Sequence, residues 1–137
     1  MILVVILIAA VCFGGEADAI VPEYVAEMNG KQYESLADAV ANVPADNTPH
    51  TITLLNHATG DGIDAGEGQN IIFDFNGYTY TVGPDESALV GPNGTVSQAM
   101  RILNNATIVM KNGTLNSMTA RMLVNNYGDL VLEDFIL

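Results

Sequence analysis

Apolar residues recur at two different spacings along this chain. Leu36, Ala39, Val40 and Val43 stand at i, i+3, i+4 and i+7, which lines one face of a helix over Ser35–Val43. Ser35 with Asp38 three residues later resembles a capping box, with Asp in place of the usual Glu, and Pro44 discourages continuation. Beyond Pro44 the spacing becomes two, the period of a strand. Ile52 and Leu54 mark a strand over Thr51–Leu55, and Ile71–Val82 is an extended run broken at Asn76-Gly77. Ahead of the helix, Val25–Met28 and Lys31–Tyr33 flank Asn29-Gly30. That dipeptide accepts positive φ at both central turn positions and predicts a hairpin. Asn56–Gly68 reads as a loop rich in Gly and Asp, and Gly83–Ser97 as a polar, turn-rich insertion.

From Met100 to Leu137 one short phrase is written twice. A shift of 22 carries Ile108 to Leu130, Met110 to Leu132, Met100 to Met122, Ile102 to Val124, Asn104 to Asn126, Asn112 to Asp134 and Leu115 to Leu137. Ile52 and Leu54 stand 21 before Phe73 and Phe75, which stand 35 before Ile108 and Met110. The shift of 35 also places Gly77 over Asn112, Thr79 over Thr114 and Tyr80 over Leu115, and Gly83–Ser97 accounts for its excess over the repeat. Three short strands with three bends use roughly 20–24 residues and bring the chain back about 4.8 Å from where it began, in parallel pairing. The expected fold is therefore all-β: a parallel β-helix of about four coils behind an N-terminal hairpin and a capping α-helix.

That fold predicts inward columns of Ile52, Phe73, Ile108, Leu130, of Leu54, Phe75, Met110, Leu132 and of Tyr80, Leu115, Leu137. Gln69, Asn104 and Asn126 each stand four before a lead strand and suggest a stacked amide ladder; the alternative is that Asn simply favours turns. The helix is expected to cover the first end of the stack. The second, at Leu130–Leu137, has no polar cap and is expected to be covered by further coils or another chain.

The segments Val25–Tyr33, Ser35–Val40, Thr51–Leu55, Phe73–Thr79 (Phe-Asp-Phe-Asn-Gly-Tyr-Thr) and Met110–Leu115 (Met-Lys-Asn-Gly-Thr-Leu) resemble secreted bacterial surface proteins of the pectate-lyase-like class. The resemblance runs from about Val25 to the end. It implies a right-handed coil and a secreted or cell-surface location in a bacterium. It does not choose an activity, because such proteins include polysaccharide lyases, glycosidases and adhesins.

Composition adds a compartment. Sixteen acids against four basic residues, a net charge of −12, exclude nucleic-acid binding by counterion release. Ile2–Phe13 is an apolar run of twelve, too short for a bilayer, and Ala17-Asp18-Ala19 offers small residues for a signal peptidase. Residues 1–19 thus read as a signal peptide, 20–24 as a linker and 25–137 as the domain, with no stable membrane span after cleavage. No Lys or Arg precedes the run, and a buried N-terminal strand or helix is the alternative; a lipoprotein anchor at Cys12 has a poor lipobox before it. Cys12, the one cysteine, would leave with the signal, and with it any disulfide.

Candidate chemistry is sparse. Lyases of the resembled class use a basic residue together with calcium held by Asp, and here Asp74, Lys111 and Glu133 fall on the outward lead-strand face. Asp74 stands one position out of column with the other two, and a solvated cross-strand ion pair is the alternative. Asp61, Asp64 and Glu67, three apart in a Gly-rich stretch, offer oxygen ligands for calcium or belong to a flexible loop. Tyr78 is a candidate sugar platform or an edge tyrosine. Glu133 and Asp134 adjoin and so point to opposite faces, which does not suit a glycosidase pair. His50 and His57 read as loop residues, and three Asn-x-Thr patterns, at Asn93, Asn105 and Asn112, mean nothing in a bacterial protein. The expected role is structural, adhesive or glycan-contacting, without catalysis. The alternative is the N-terminal part of a polysaccharide lyase or glycoside hydrolase whose active coils lie beyond residue 137.

Overall fold

The computed structural model describes residues 21–92 and 96–137. The expected signal, residues 1–19, and the Asn93-Gly94-Thr95 pattern lie outside them. The described residues are mostly β, with parallel sheets and one short α-helix among them. No described helix is long and apolar enough to cross a membrane.

The hairpin forms where Asn-Gly places it. Strands β1 (Ala26–Met28) and β2 (Lys31–Tyr33) pair antiparallel, and Asn29 and Gly30 take φ of 54° and 80°. Helix α1 (Leu36–Ala41) follows. The Ser35 hydroxyl accepts from the Asp38 N–H at 3.0 Å, so the N-cap is as the sequence suggests. The helix stops two residues short of Val43, because the Asn42 N–H turns back to the Asp38 and Ala39 carbonyls. Gln69 completes that end from a distant segment. Its buried amide donates to the Val40 and Val43 carbonyls, both at 2.9 Å, and accepts from the Gly66 N–H at 2.8 Å. The amide ladder is thereby overturned: Gln69 is a helix cap, whereas Asn104 and Asn126 are exposed. Asn126 instead closes its own turn by accepting from the Gly128 N–H.

Next come β3 (Pro49–Leu54), β4 (Ala58–Gly60) and β5 (Ile63–Ala65), then β6 (Asn70–Asp74), β7 (Thr79–Val82) and β8 (Gln98–Ile102). They pair in parallel one for one: β3 with β6, β4 with β7, β5 with β8. The long β9 (Thr107–Ser117) pairs with β6 through its first half and with β7 through its second. Finally β10 (Met122–Asn126) lies on β8, and β11 (Asp129–Ile136) on β9.

Asn56–Gly68 is therefore no loop, since it carries β4 and β5. Three-residue strands give too short a pattern to be read alone, and pairing partners define them. Ile63 and Ala65 are buried around the outward Asp64. Gly60 is required by packing: a Cβ there would lie 2.6 Å from the Tyr80 hydroxyl, which donates to the Asp61 carbonyl at 2.7 Å.

Register differs from expectation at two corners. Ile52 does pair with Phe73, and Leu130 with Ile108 at the shift of 22. Phe73, however, pairs with Met110 and Ile71 with Ile108, a shift of 37, while Tyr80 over Leu115 keeps 35. The corner Phe75–Tyr78 spends four residues where Asn112-Gly113 spends two, so the register slips by two between β6 and β7. Likewise Val124 pairs with Met100, not Ile102, because Leu103–Ala106 faces the shorter Tyr127-Gly128. The inward columns are thus Ile52, Phe73, Met110, Leu132 and Ile71, Ile108, Leu130. Phe75 reaches past Gly113, where a Cβ would collide with its own Cβ, to meet Phe135 edge-on at 4.7 Å.

Leu36, Ala39, Val40 and Val43 of the helix segment join this core, and β1 pairs antiparallel along the edge of β3. Between Val82 and Gln98 the chain makes its excursion. A 3-10 turn, Glu86–Ala88, is capped by Asp85, whose carboxyl the Ser87 hydroxyl and N–H hold below the usual range. Ala88 and Leu89 are buried, and Val90 bridges back to Gln98.

Candidate functional site

The outer side of the β6–β9–β11 sheet carries the candidate charged cluster. Side chains alternate across a strand, so Asp74, Lys111 and Glu133 point away from buried Phe73 and Met110. They stand in one column: Asp74 opposite Lys111, Lys111 opposite Glu133. The offset expected from the sequence disappears, for the same reason that the register is 37 here. The Lys111 Nζ lies 3.9 Å from Asp74 Oδ2, and Asp74 Oδ1 accepts from the Asn76 N–H and the Asn112 amide at 2.9 and 3.1 Å. Asp74 and Glu133 are two strand spacings apart, roughly 10 Å at the backbone, with Lys111 between them. The three are brought together on an open sheet face.

Asp61, Asp64 and Glu67 are separated instead. Asp64 gives both oxygens to Arg101, at 2.9 and 2.6 Å from Nε and Nη2. Hydrogen bonding of its guanidinium to Asp64 raises the Arg101 pKa, against a smaller effect of burial. Asp61 engages Tyr80 through its backbone carbonyl, and Glu67 is exposed in the turn before β6. Among the described residues no three His, Cys, Asp or Glu side chains converge on a point suited to a metal ion. The free carboxylates for calcium reduce to Asp61 and Glu67.

Tyr78 is half-buried at the Asn76-Gly77 corner, where φ is 53° and 86°. Its ring meets His57 edge-on at 5.1 Å. His57 Nδ1 accepts from the Thr79 N–H at 3.0 Å, which puts the ring proton on Nε2, facing outward. This bond ties the residue before β4 to the start of β7. His50 lies within β3, with Nε2 3.1 Å from the Thr48 hydroxyl and 3.5 Å from Asp46.

One set of residues escaped the sequence. On the β4–β7–β9 sheet the outward positions are Thr59, Thr81 and Asn116 in one column and Thr79 and Thr114 in the next. Buried Tyr80, Val82 and Leu115 alternate with them. Tyr78 and His57 border this patch. The patch carries hydroxyls and one amide and no charge, on a chain with sixteen acids. The shift of 35 already set Thr79 over Thr114; what hid the rest was taking β4 for loop.

The described cavity, between Leu36, Ile63, Phe73, Phe75, Met100, Met110 and Leu115, is apolar and has no room for a water molecule. Comparison with protein-family models, curated proteins and solved structures gives no match to this chain.

Proposed function

We propose that this chain is a segment of a secreted or cell-surface bacterial protein that contacts a neutral glycan without transforming it. The architecture in this proposal is a right-handed parallel β-helix of the pectate-lyase-like class. The one-for-one parallel pairing of β3-β4-β5 with β6-β7-β8, continued by β9, β10 and β11, supports the coil. The resemblance alone supplies its hand and its compartment.

One observation carries the glycan role: the uncharged hydroxyl-and-amide patch beside Tyr78 and His57. Neutral donors and acceptors next to an aromatic ring suit sugar hydroxyls and sugar faces, while a β-sheet holds them in fixed register. Titration of neutral and acidic oligosaccharides against the protein, at low and high salt, tests it. Saturable binding of a neutral glycan, unchanged by salt and weakened about tenfold or more by Tyr78→Ala, is expected. Binding confined to acidic glycans, or indifferent to Tyr78→Ala, would overturn it.

The alignment of Asp74, Lys111 and Glu133 favours a second reading, a polysaccharide lyase or glycoside hydrolase. Two carboxyls flanking a bond stand about 5–10 Å apart in glycosidases, which this column approaches. It lies on an open face, where nothing excludes water from a reacting group. Turnover of polygalacturonate with calcium, read as unsaturated product and abolished by Lys111→Ala, would establish the enzyme.

A further inference from the structure

The hydroxyl-and-amide patch has a direction. Thr59, Thr81 and Asn116 stand opposite one another on β4, β7 and β9, and Thr79 stands opposite Thr114. Among the described residues none of these side chains hydrogen-bonds to the protein. Ser117, the residue after Asn116, does so: its hydroxyl donates to the Val82 carbonyl at 3.1 Å. The patch therefore holds its donors and acceptors unspent. Threonine is stiff about its first side-chain torsion, so the groups keep the spacing of the strands beneath them.

That spacing decides how a ligand lies. Across the strands, like groups recur every 4.8 Å or so, in two columns; along a strand, outward positions stand roughly 6.6 Å apart. A ligand lying along one strand meets at most two of the groups, whereas one crossing the strands meets Thr59, Thr81 and Asn116 in turn. The aromatic border runs the same way. His57, just before β4, and Tyr78, just before β7, come from successive coils and touch edge-on at 5.1 Å. A chain of β-1,4-linked sugars is extended and advances by close to one strand spacing per unit. An α-1,4-linked chain curls and falls out of step with the strands.

We infer that the patch takes a linear, neutral, β-1,4-linked glycan laid across β4, β7 and β9, about one sugar to a strand. The inference rests on the glycan reading of the patch and adds linkage and direction to it.

Calorimetric titration of the whole protein tests it. The probes are β-1,4-linked oligomers of glucose, mannose and N-acetylglucosamine, one to five units long, with maltotetraose as the α-1,4-linked control. In at least one β-1,4 series, affinity should rise about fivefold or more from two units to three and level off by four. Maltotetraose should bind about fivefold weaker or worse. Thr59→Val and Asn116→Ala lie on outer strands about 10 Å apart. Both residues are exposed, so melting temperatures should hardly move. Each change should weaken the best tetramer about threefold or more. Binding that ignores length, prefers maltotetraose, or responds to only one of the two substitutions would overturn the inference and leave the glycan reading standing. If no neutral sugar binds, both fall.

Discussion

Tyr80 shows how much one side chain decides. It fills the core between Gly60 and Leu115 and keeps its hydroxyl satisfied by the Asp61 carbonyl at 2.7 Å. Burial, and then the Asp61 charge, raise its pKa from the ordinary 10.0. Its contribution to stability is therefore complete below about pH 10 and is lost as the pH climbs toward the folded value. Urea unfolding at pH 8 and above pH 10 should show this loss, with a shallower slope for Tyr80→Phe. At pH 8 that variant should be less stable by about 1 kcal/mol, the usual worth of such a hydrogen bond. Gly60→Ala places a methyl against the same hydroxyl. It should destabilise more than Tyr80→Phe, and the double variant should be more stable than the sum of the two losses, because removing the oxygen removes the collision. Additive losses would show that Gly60 serves some other purpose.

At the scale of elements, the cap is held by a partnership the sequence conceals. Ser35→Ala removes the N-cap bond and should cost about 1 kcal/mol. Gln69→Ala takes the side-chain donor from the Val43 carbonyl and one of two donors from the Val40 carbonyl, which keeps the Val43 N–H, and should cost more, up to about 3 kcal/mol for the orphaned group. Thermal melts of the two variants rank them; equal shifts would refute the capping role of Gln69. The hairpin, the helix and the Ile52–Phe73 and Ile108–Leu130 pairings were legible because each rests on local pattern: Asn-Gly, a 3.6 period, or alternation repeated at one interval. What stayed hidden depends on corners. Phe75–Tyr78 and Leu103–Ala106 are each two residues longer than the bends that stack on them, and no periodicity announces such a change. Misjudging the first placed Asp74 out of line with Lys111, and overlooking β4 hid the threonine patch. The register between β9 and β11 is open to a direct check. Val109 and Val131 face each other on adjacent parallel strands. Cysteines at both, in a Cys12→Ser background, should close a disulfide under mild oxidation, since the strand spacing of about 4.8 Å lies within the span such a bond requires. Pairing Val109→Cys with Glu133→Cys should not.

For the whole molecule, the relation between rigid frame and excursion matters most. The chain leaves the sheets after Val82 and rejoins them at Gln98, and neighbours hold both points. The Gly83 N–H donates to the Gly60 carbonyl, while the Arg121 and Met122 N–H groups both donate to the Ser97 carbonyl. Within the excursion, Ala88 and Leu89 are buried against the frame and Val90 pairs with Gln98, so the described residues up to Val90 are tied to it. Closing a loop grows costlier only slowly with length, by about 0.6 kcal/mol per doubling. A foreign peptide spliced between Gly91 and the exposed Pro92 should leave the melting temperature nearly unchanged, whereas the same peptide placed at Gly113, against Phe75, should unfold the protein. The junction of Gly91 and Pro92 is thus a natural splice point, where new sequence can be tried out, by a protein engineer or by evolution, while the folded body keeps its shape.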